Sequence, residues 1–165
     1  MVIIMKRDIL IFPKFKNIHL IQDIRKDYDK LANLIPPHIT IVFPFTDSMT
    51  NDVLIEKIKK CVKNIKSFKI KFKGISLNNE KLIFLNCIYG NDEIINLHNK
   101  IYNEVLSSHL NKSIKYTPHI TLGKVNNIDF LRDFKYEFED IVDQIVIEEI
   151  GPNEESIIID KINLN

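Results

Sequence analysis

The chain has 165 residues and a formal net charge of +1, from 23 basic and 22 acidic side chains. That length suits one compact domain or two small lobes sharing an interface, and 45% hydrophobic with 27% charged residues is a globular composition that excludes extensive disorder. The balanced charge excludes the strong basic excess expected of a binder of duplex DNA or of an anionic membrane, while leaving room for a local phosphate site built from a few donors.

Taken in order, Met1-Val2-Ile3-Ile4-Met5 is too short for a signal-peptide core and lacks a basic segment before it. Asp8 to Phe12 is a short apolar run ended by Pro13, which suits a buried strand. Asn17 is placed to cap a helix on which Ile18, Ile21, Ile24, Tyr28 and Leu31 recur at three- and four-residue steps. Pro36-Pro37 then forces an extended segment, and His38 to Phe43 reads as a strand closed by Pro44. A second helix starts near Thr50 or Asn51 and runs to about Ile65.

Phe68 to Phe72 alternates apolar and basic residues, as in a strand solvated on one face, and the nearly all-apolar Leu82 to Tyr89 is its hairpin partner. An RNA-facing stripe is the other reading of the first strand, but its aromatics face away from its lysines. Gly74 and Asn78-Asn79 punctuate the hairpin. Asp92 is placed to cap the longest helix, which carries Ile94 or Ile95, Leu97, Ile101 and Val105 inward. Tyr116 to Lys124 is again extended, a short helix covers about Ile128 to Phe134, and Gln144–Ile150 with Ile157–Ile162 form a terminal hairpin around Gly151-Pro152-Asn153.

No apolar run reaches the length of a membrane span. Cys61 and Cys87 are isolated in apolar-periodic segments and read as reduced core residues. The expectation is a soluble, cytoplasmic, monomeric protein of α+β class: two pseudo-symmetric lobes of mostly antiparallel sheet with outer helices. The lobes form a single bilobal domain over residues 1–165, with the motif halves dividing at roughly 65–80.

The chemistry is concentrated in one tetrapeptide that occurs twice. Pro37-His38-Ile39-Thr40 returns letter for letter as Pro118-His119-Ile120-Thr121, 81 residues later. On a strand His38 and Thr40 share one face and Ile39 the other, and the same holds for His119, Thr121 and Ile120. Each lobe would then bury its isoleucine and project an imidazole and a hydroxyl into a central cleft. Two imidazoles, with ordinary titration near pH ~6.5, can divide into one neutral base and one protonated acid, the arrangement that in-line displacement at phosphorus requires. Two threonine hydroxyls can donate to the non-bridging phosphate oxygens.

A single His-x-Thr is more often structural than catalytic, and duplication of a structural turn explains the prolines better than the histidines. A zinc site lacks further ligands at suitable spacing. His19, His98 and His109 lie on predicted helices without partner motifs and read as surface or packing residues.

The paired motif resembles that of the two-histidine phosphoesterase superfamily, whose signature is two His-x-Thr/Ser motifs half a chain apart. The segments Ile24 to Asp29, Leu97 to Tyr102 and Ile147 to Ile150 are similar to its bacterial branch, the 2′-5′ RNA ligase-like proteins. The resemblance implies hydrolysis, without metal or other cofactor, of cyclic phosphodiesters such as 2′,3′-cyclic nucleotides or RNA ends to the 2′-phosphate. It implies His38 and His119 as the acid/base pair, with His119 favoured as base and the reverse left open by symmetry. It implies Thr40 and Thr121 as phosphate holders, and Arg25, Tyr116 and Lys124 as further substrate contacts. Relatives that join or cleave 2′-5′ linkages or open ADP-ribose cyclic phosphates leave those activities as alternatives. A nucleotide- or RNA-end-binding protein without efficient turnover is the alternative outside enzymology.

Overall fold

The computed structural model describes all 165 residues and contains one eight-stranded sheet in the order β6-β3-β4-β5-β2-β1-β7-β8, with every ladder antiparallel. The strands are β1 (Met5–Ile11), β2 (Ile39–Asp47), β3 (Phe68–Leu77), β4 (Leu82–Tyr89), β5 (His119–Lys124), β6 (Phe138–Val142), β7 (Gln144–Ile150) and β8 (Ser156–Asn163). The helices are α1 (His19–Tyr28), α2 (Asn51–Val62) and α3 (Asn91–Glu104). No helix is long and apolar enough to cross a membrane.

The sheet divides into two four-stranded halves that meet where β2 and β5 run side by side. Only one residue pair, Ile39 with Ile120, bridges that seam, whereas the ladders on either side are longer. The two motif strands therefore meet edge to edge within one sheet, where the sequence suggested a cleft between two lobes. Sequence symmetry becomes structural symmetry here, because β1-α1-β2 in one half corresponds to β4-α3-β5 in the other. The helices cross over: α1 packs on β5 and α3 packs on β2. One core runs beneath both halves, with Ile39, Ile41, Ile120 and Leu122 in it together with Ile21 of α1, Leu54 and Ile58 of α2, and Leu97 and Ile101 of α3. Period-2 alternation then sends the other residues of β2 and β5 to the opposite face.

Several local expectations change. Asn17 does not cap α1; its side-chain amide donates to the Glu137 carbonyl, and the cap position is Ile18 without a side-chain bond. Thr50 does cap α2, accepting from the Val53 amide. The cap residue of α3 is Gly90 at φ +87, one place before the helix, where a Cβ would collide with the Lys69 carbonyl. Pro44 does not close β2. It sits within the strand where Phe43-Pro44 oppose the single residue Asp8, a bulge that accommodates a residue unable to donate to a ladder. Gly74, at φ +89, likewise lies inside β3 at a register shift. The helix expected over 128–134 is one 3₁₀ turn, Asp129–Leu131, and β6 follows it as an edge strand.

Candidate active site

The antiparallel register at the seam puts His38 across from Thr121 and Thr40 across from His119, so each histidine neighbours the other motif's threonine. All four side chains lie on the face opposite the helical core and line two adjoining cavities. One of about 500 Å³ is bounded by His119, Thr121, Thr40, Phe43, Phe84 and Tyr116; the other, of about 180 Å³, by His38, Thr40 and Phe43 with Asp8 and Glu148. Thr40 and Phe43 belong to both, which makes them two halves of one cleft.

Both imidazoles are fixed in the same way. His38 Nδ1 lies 2.8 Å from the Pro36 carbonyl, and His119 Nδ1 lies 2.7 Å from the Thr117 carbonyl. A carbonyl only accepts, so each Nδ1 carries the proton and each neutral ring keeps its lone pair on Nε2. Each accepting carbonyl belongs to the residue before Pro37 or Pro118, whose fixed φ and restricted predecessor hold it in place. The repeated prolines thus belong to the chemistry of the repeated histidines, since they set the tautomer. His119 also stacks on Phe84, with centroids 3.5 Å apart, while His38 meets Phe12 edge-on at 6.5 Å.

Burial disfavours the imidazolium at both positions. His38 is held down to about 4, first by burial and further by the Arg25 charge and by His119, with the Pro36 hydrogen bond and Asp29 opposing. His119 is lowered by burial, with the Thr117 hydrogen bond opposing. Both rings are therefore neutral at pH 7, whereas the sequence suggested that one could be protonated at modest cost.

The other sequence-derived candidates fall in different places. Tyr116 lines the cleft, and its hydroxyl donates to the Thr40 carbonyl at 2.7 Å. Arg25 is fully buried on α1, where Nε bonds Asp29 at 2.9 Å and Nη1 bonds Gln22 at 3.0 Å; it lines neither cavity and reaches His38 only through its charge. Lys124 is exposed at the end of β5, paired in register with Leu82 and outside both cavities. The glycine before it, Gly123 at φ +145, admits a close backbone approach, and the approaching group is the Tyr28 carbonyl at the end of α1.

Sequence reasoning missed a brace behind the site. Where β2 separates from β5, its backbone groups lose a strand partner, and side chains replace one. Tyr116 bonds the Thr40 carbonyl, His98 Nδ1 donates to the Ile41 carbonyl at 2.7 Å, and the Phe43 amide donates to the Tyr102 hydroxyl at 3.1 Å. His98 is buried on α3 and its ring stacks on Tyr116 at 3.7 Å. The helical spacing of His98 and Tyr102, i and i+4 beside Leu97 and Ile101, is the only sequence trace of this brace. No three His, Cys, Asp or Glu side chains converge closely enough to hold a metal ion. Cys61 and Cys87 are free, buried thiols.

Comparison with known proteins bears out the resemblance seen in the motifs. The family model described as the 2′-5′ RNA ligase superfamily matches residues 13–144. A candidate phosphoesterase of Oceanobacillus iheyensis is 31% identical over 153 residues, covering 87% of this chain and 81% of that protein. Another, of Bacillus licheniformis, is 29% identical over 128 residues, covering 73% of this chain and 71% of its own. Among solved structures, E. coli LigT complexed with 3′-AMP superposes with a TM-score of 0.68 at 12% identity, over 99% of both chains, a likeness of fold.

Proposed function

This chain belongs to the 2′-5′ RNA ligase superfamily, and on that premise we propose that it is a metal-independent phosphoesterase that opens 2′,3′-cyclic phosphates of nucleotides or RNA ends, leaving the 2′-phosphate. The observation that carries the reading is the matched pair of tautomer-locked imidazoles, both with Nε2 free and both beside a threonine hydroxyl. A protein that merely binds phosphate needs donors; two rings each holding a bare Nε2 are acceptors until they gain a proton.

The phosphate sits between the rings with its non-bridging oxygens on Thr40 and Thr121. One neutral imidazole takes a proton from water through Nε2 as the water oxygen attacks phosphorus. The P–O3′ bond breaks in line, and the second imidazole, protonated on Nε2, gives its proton to O3′. The products are a 2′-phosphate and a 3′-hydroxyl, and the pair has exchanged one proton between its members. Since burial keeps both rings neutral, the proton enters with the anion, whose charge favours imidazolium.

Both motifs come from one chain, so a monomer is a complete working unit. The two buried free thiols fit the reducing cytoplasm. The large aromatic half of the cleft suits a nucleobase, and LigT, complexed with 3′-AMP, supports a nucleotide substrate for this fold. The test is phosphorus NMR of adenosine 2′,3′-cyclic phosphate incubated with the protein in excess EDTA. A new 2′-monophosphate signal is expected; activity that disappears with EDTA and returns with zinc would overturn the mechanism.

A further inference from the structure

The smaller half of the cleft contains a feature that phosphate chemistry leaves unused. Asp8 of β1 and Glu148 of β7 face each other in register, and both are buried, at 6% and 1% exposure. Neither belongs to the hydrophobic core: Ile9 and Ile147 turn into it, so Asp8 and Glu148 stand on the same sheet face as His38 and Thr40. Glu148 accepts from the Ser156 hydroxyl, and its carboxyl lies beside that of Asp8. No donor of the protein bonds Asp8: Oδ1 is wholly enclosed, and Oδ2 is the oxygen left with surface in the pocket.

We propose that this pocket is a subsite for the portion of the substrate flanking the phosphate, in which the Asp8 carboxyl accepts a hydrogen bond from a substrate N–H or O–H. The inference rests on the phosphoesterase reading and extends it from the reacting group to what is attached. Two carboxyls forced together in a buried place share a proton, and the proton between Asp8 and Glu148 leaves the pocket-facing oxygen of Asp8 as an acceptor only. The walls suit a flat or ring-shaped group: Leu31, Ile35 and Ile150 are apolar, and the Phe43-Pro44 bulge lies directly opposite Asp8, so the irregularity in β2 shapes this pocket. Lys6 and Glu154 complete its polar lining. The volume of about 180 Å³ admits one sugar or one base and little more. Its partner cavity holds His119, Phe84 and Tyr116, so the two sides of the phosphate meet different chemistry, aromatic on one and acceptor-bearing on the other.

The experiment is calorimetric binding of adenosine 2′-monophosphate and of inorganic phosphate to the native protein, Asp8→Leu and Asp8→Asn. Asp8→Leu should weaken nucleotide binding about tenfold and leave phosphate binding within about twofold. Asp8→Asn should stay within about threefold of native for both, because its amide can donate to Glu148 while its oxygen keeps the free position. Unchanged nucleotide affinity in Asp8→Leu, or an equal loss for phosphate, overturns the subsite.

Ligand variants test the same contact on the native fold: N6,N6-dimethyl, 5′-O-methyl and 3′-deoxy analogues of the nucleotide each remove one donor group. A tenfold loss with the first assigns the contact to the base and with the second or third to the sugar; no loss with any of them overturns it. Binding of this pattern without hydrolysis would overturn the phosphoesterase reading and keep the subsite. Hydrolysis with indifference to Asp8→Leu would do the reverse.

Discussion

The clearest quantitative consequence of the site concerns the proton on His38. The ring is held to about 4 against an ordinary value of 6.5, with burial as the main cause and Arg25 and His119 adding to it. At about 1.4 kcal/mol per pH unit, that difference disfavours imidazolium by about 3 kcal/mol. A singly charged phosphate about 4 Å from the ring, at an effective dielectric constant of about 20, favours imidazolium by about 4 kcal/mol. The two nearly cancel, so with phosphate bound the ring should titrate at roughly 6 to 7, where it can serve a reaction at neutral pH. Because the complex holds a proton that the free protein does not, phosphate affinity should rise as pH falls through the window from about 7 to about 4. The assay is an NMR titration of the imidazole Cε1 protons with and without saturating inorganic phosphate, with His38→Gln identifying the resonance. A His38 midpoint still near 4 with phosphate bound, or already above 6 without it, would refute the reasoning.

Three further outcomes follow from particular contacts. Breaking the brace with His98→Phe leaves the Ile41 carbonyl unpaired and should cost about 1–3 kcal/mol in denaturant unfolding, with a drop in kcat because Thr40 shares that backbone; His98→Asn, which keeps an N–H near the Nδ1 position, should recover most of both. Asp8 is held well above the usual carboxylate range by burial and by Glu148, so the folded chain keeps a proton that the unfolded chain releases above about 4. Stability from this group therefore falls as pH rises, and Asp8→Asn should stabilise the protein more at pH 8 than at pH 5 in thermal melts; an equal effect at both would contradict the pairing. Gly123→Val must place a side chain against the Tyr28 carbonyl at a φ that valine resists, so it should destabilise by about 3 kcal/mol in the same assay.

Much of this was legible in the sequence, for a physical reason. Alternation on a strand is strict, so Pro37-His38-Ile39-Thr40 and its copy had to present His and Thr on one face and Ile on the other, as observed in the cavity lining and the core. The strict alternation of Phe68 to Phe72, and the apolar runs on either side of Gly151-Pro152-Asn153, likewise placed β3, β7 and β8. What the sequence hid depended on neighbours distant along the chain. Edge strand β6 has one exposed apolar residue, Ile141, and no clean alternation, because it has a partner on only one side. Arg25 carries a charge that suggests an anion site, yet Asp29 one turn later and Gln22 one turn earlier hold its buried guanidinium alongside α1. His98 has no local motif, since the carbonyl that gives it a role lies 57 residues away. Pro44 looked like a terminator, and only pairing with β1 turned it into a bulge.

The central claim is that both repeated histidines exchange protons with a phosphodiester. The most direct measurement is single-turnover hydrolysis of adenosine 2′,3′-cyclic phosphate by the native protein, His38→Gln and His119→Gln at several pH values, with phosphate binding measured alongside. The account predicts that each variant binds phosphate yet loses at least about 100-fold in rate, and that the bell-shaped pH profile of the native protein loses one limb in each. Full activity in either single variant, or one limb surviving unchanged in both, would contradict it.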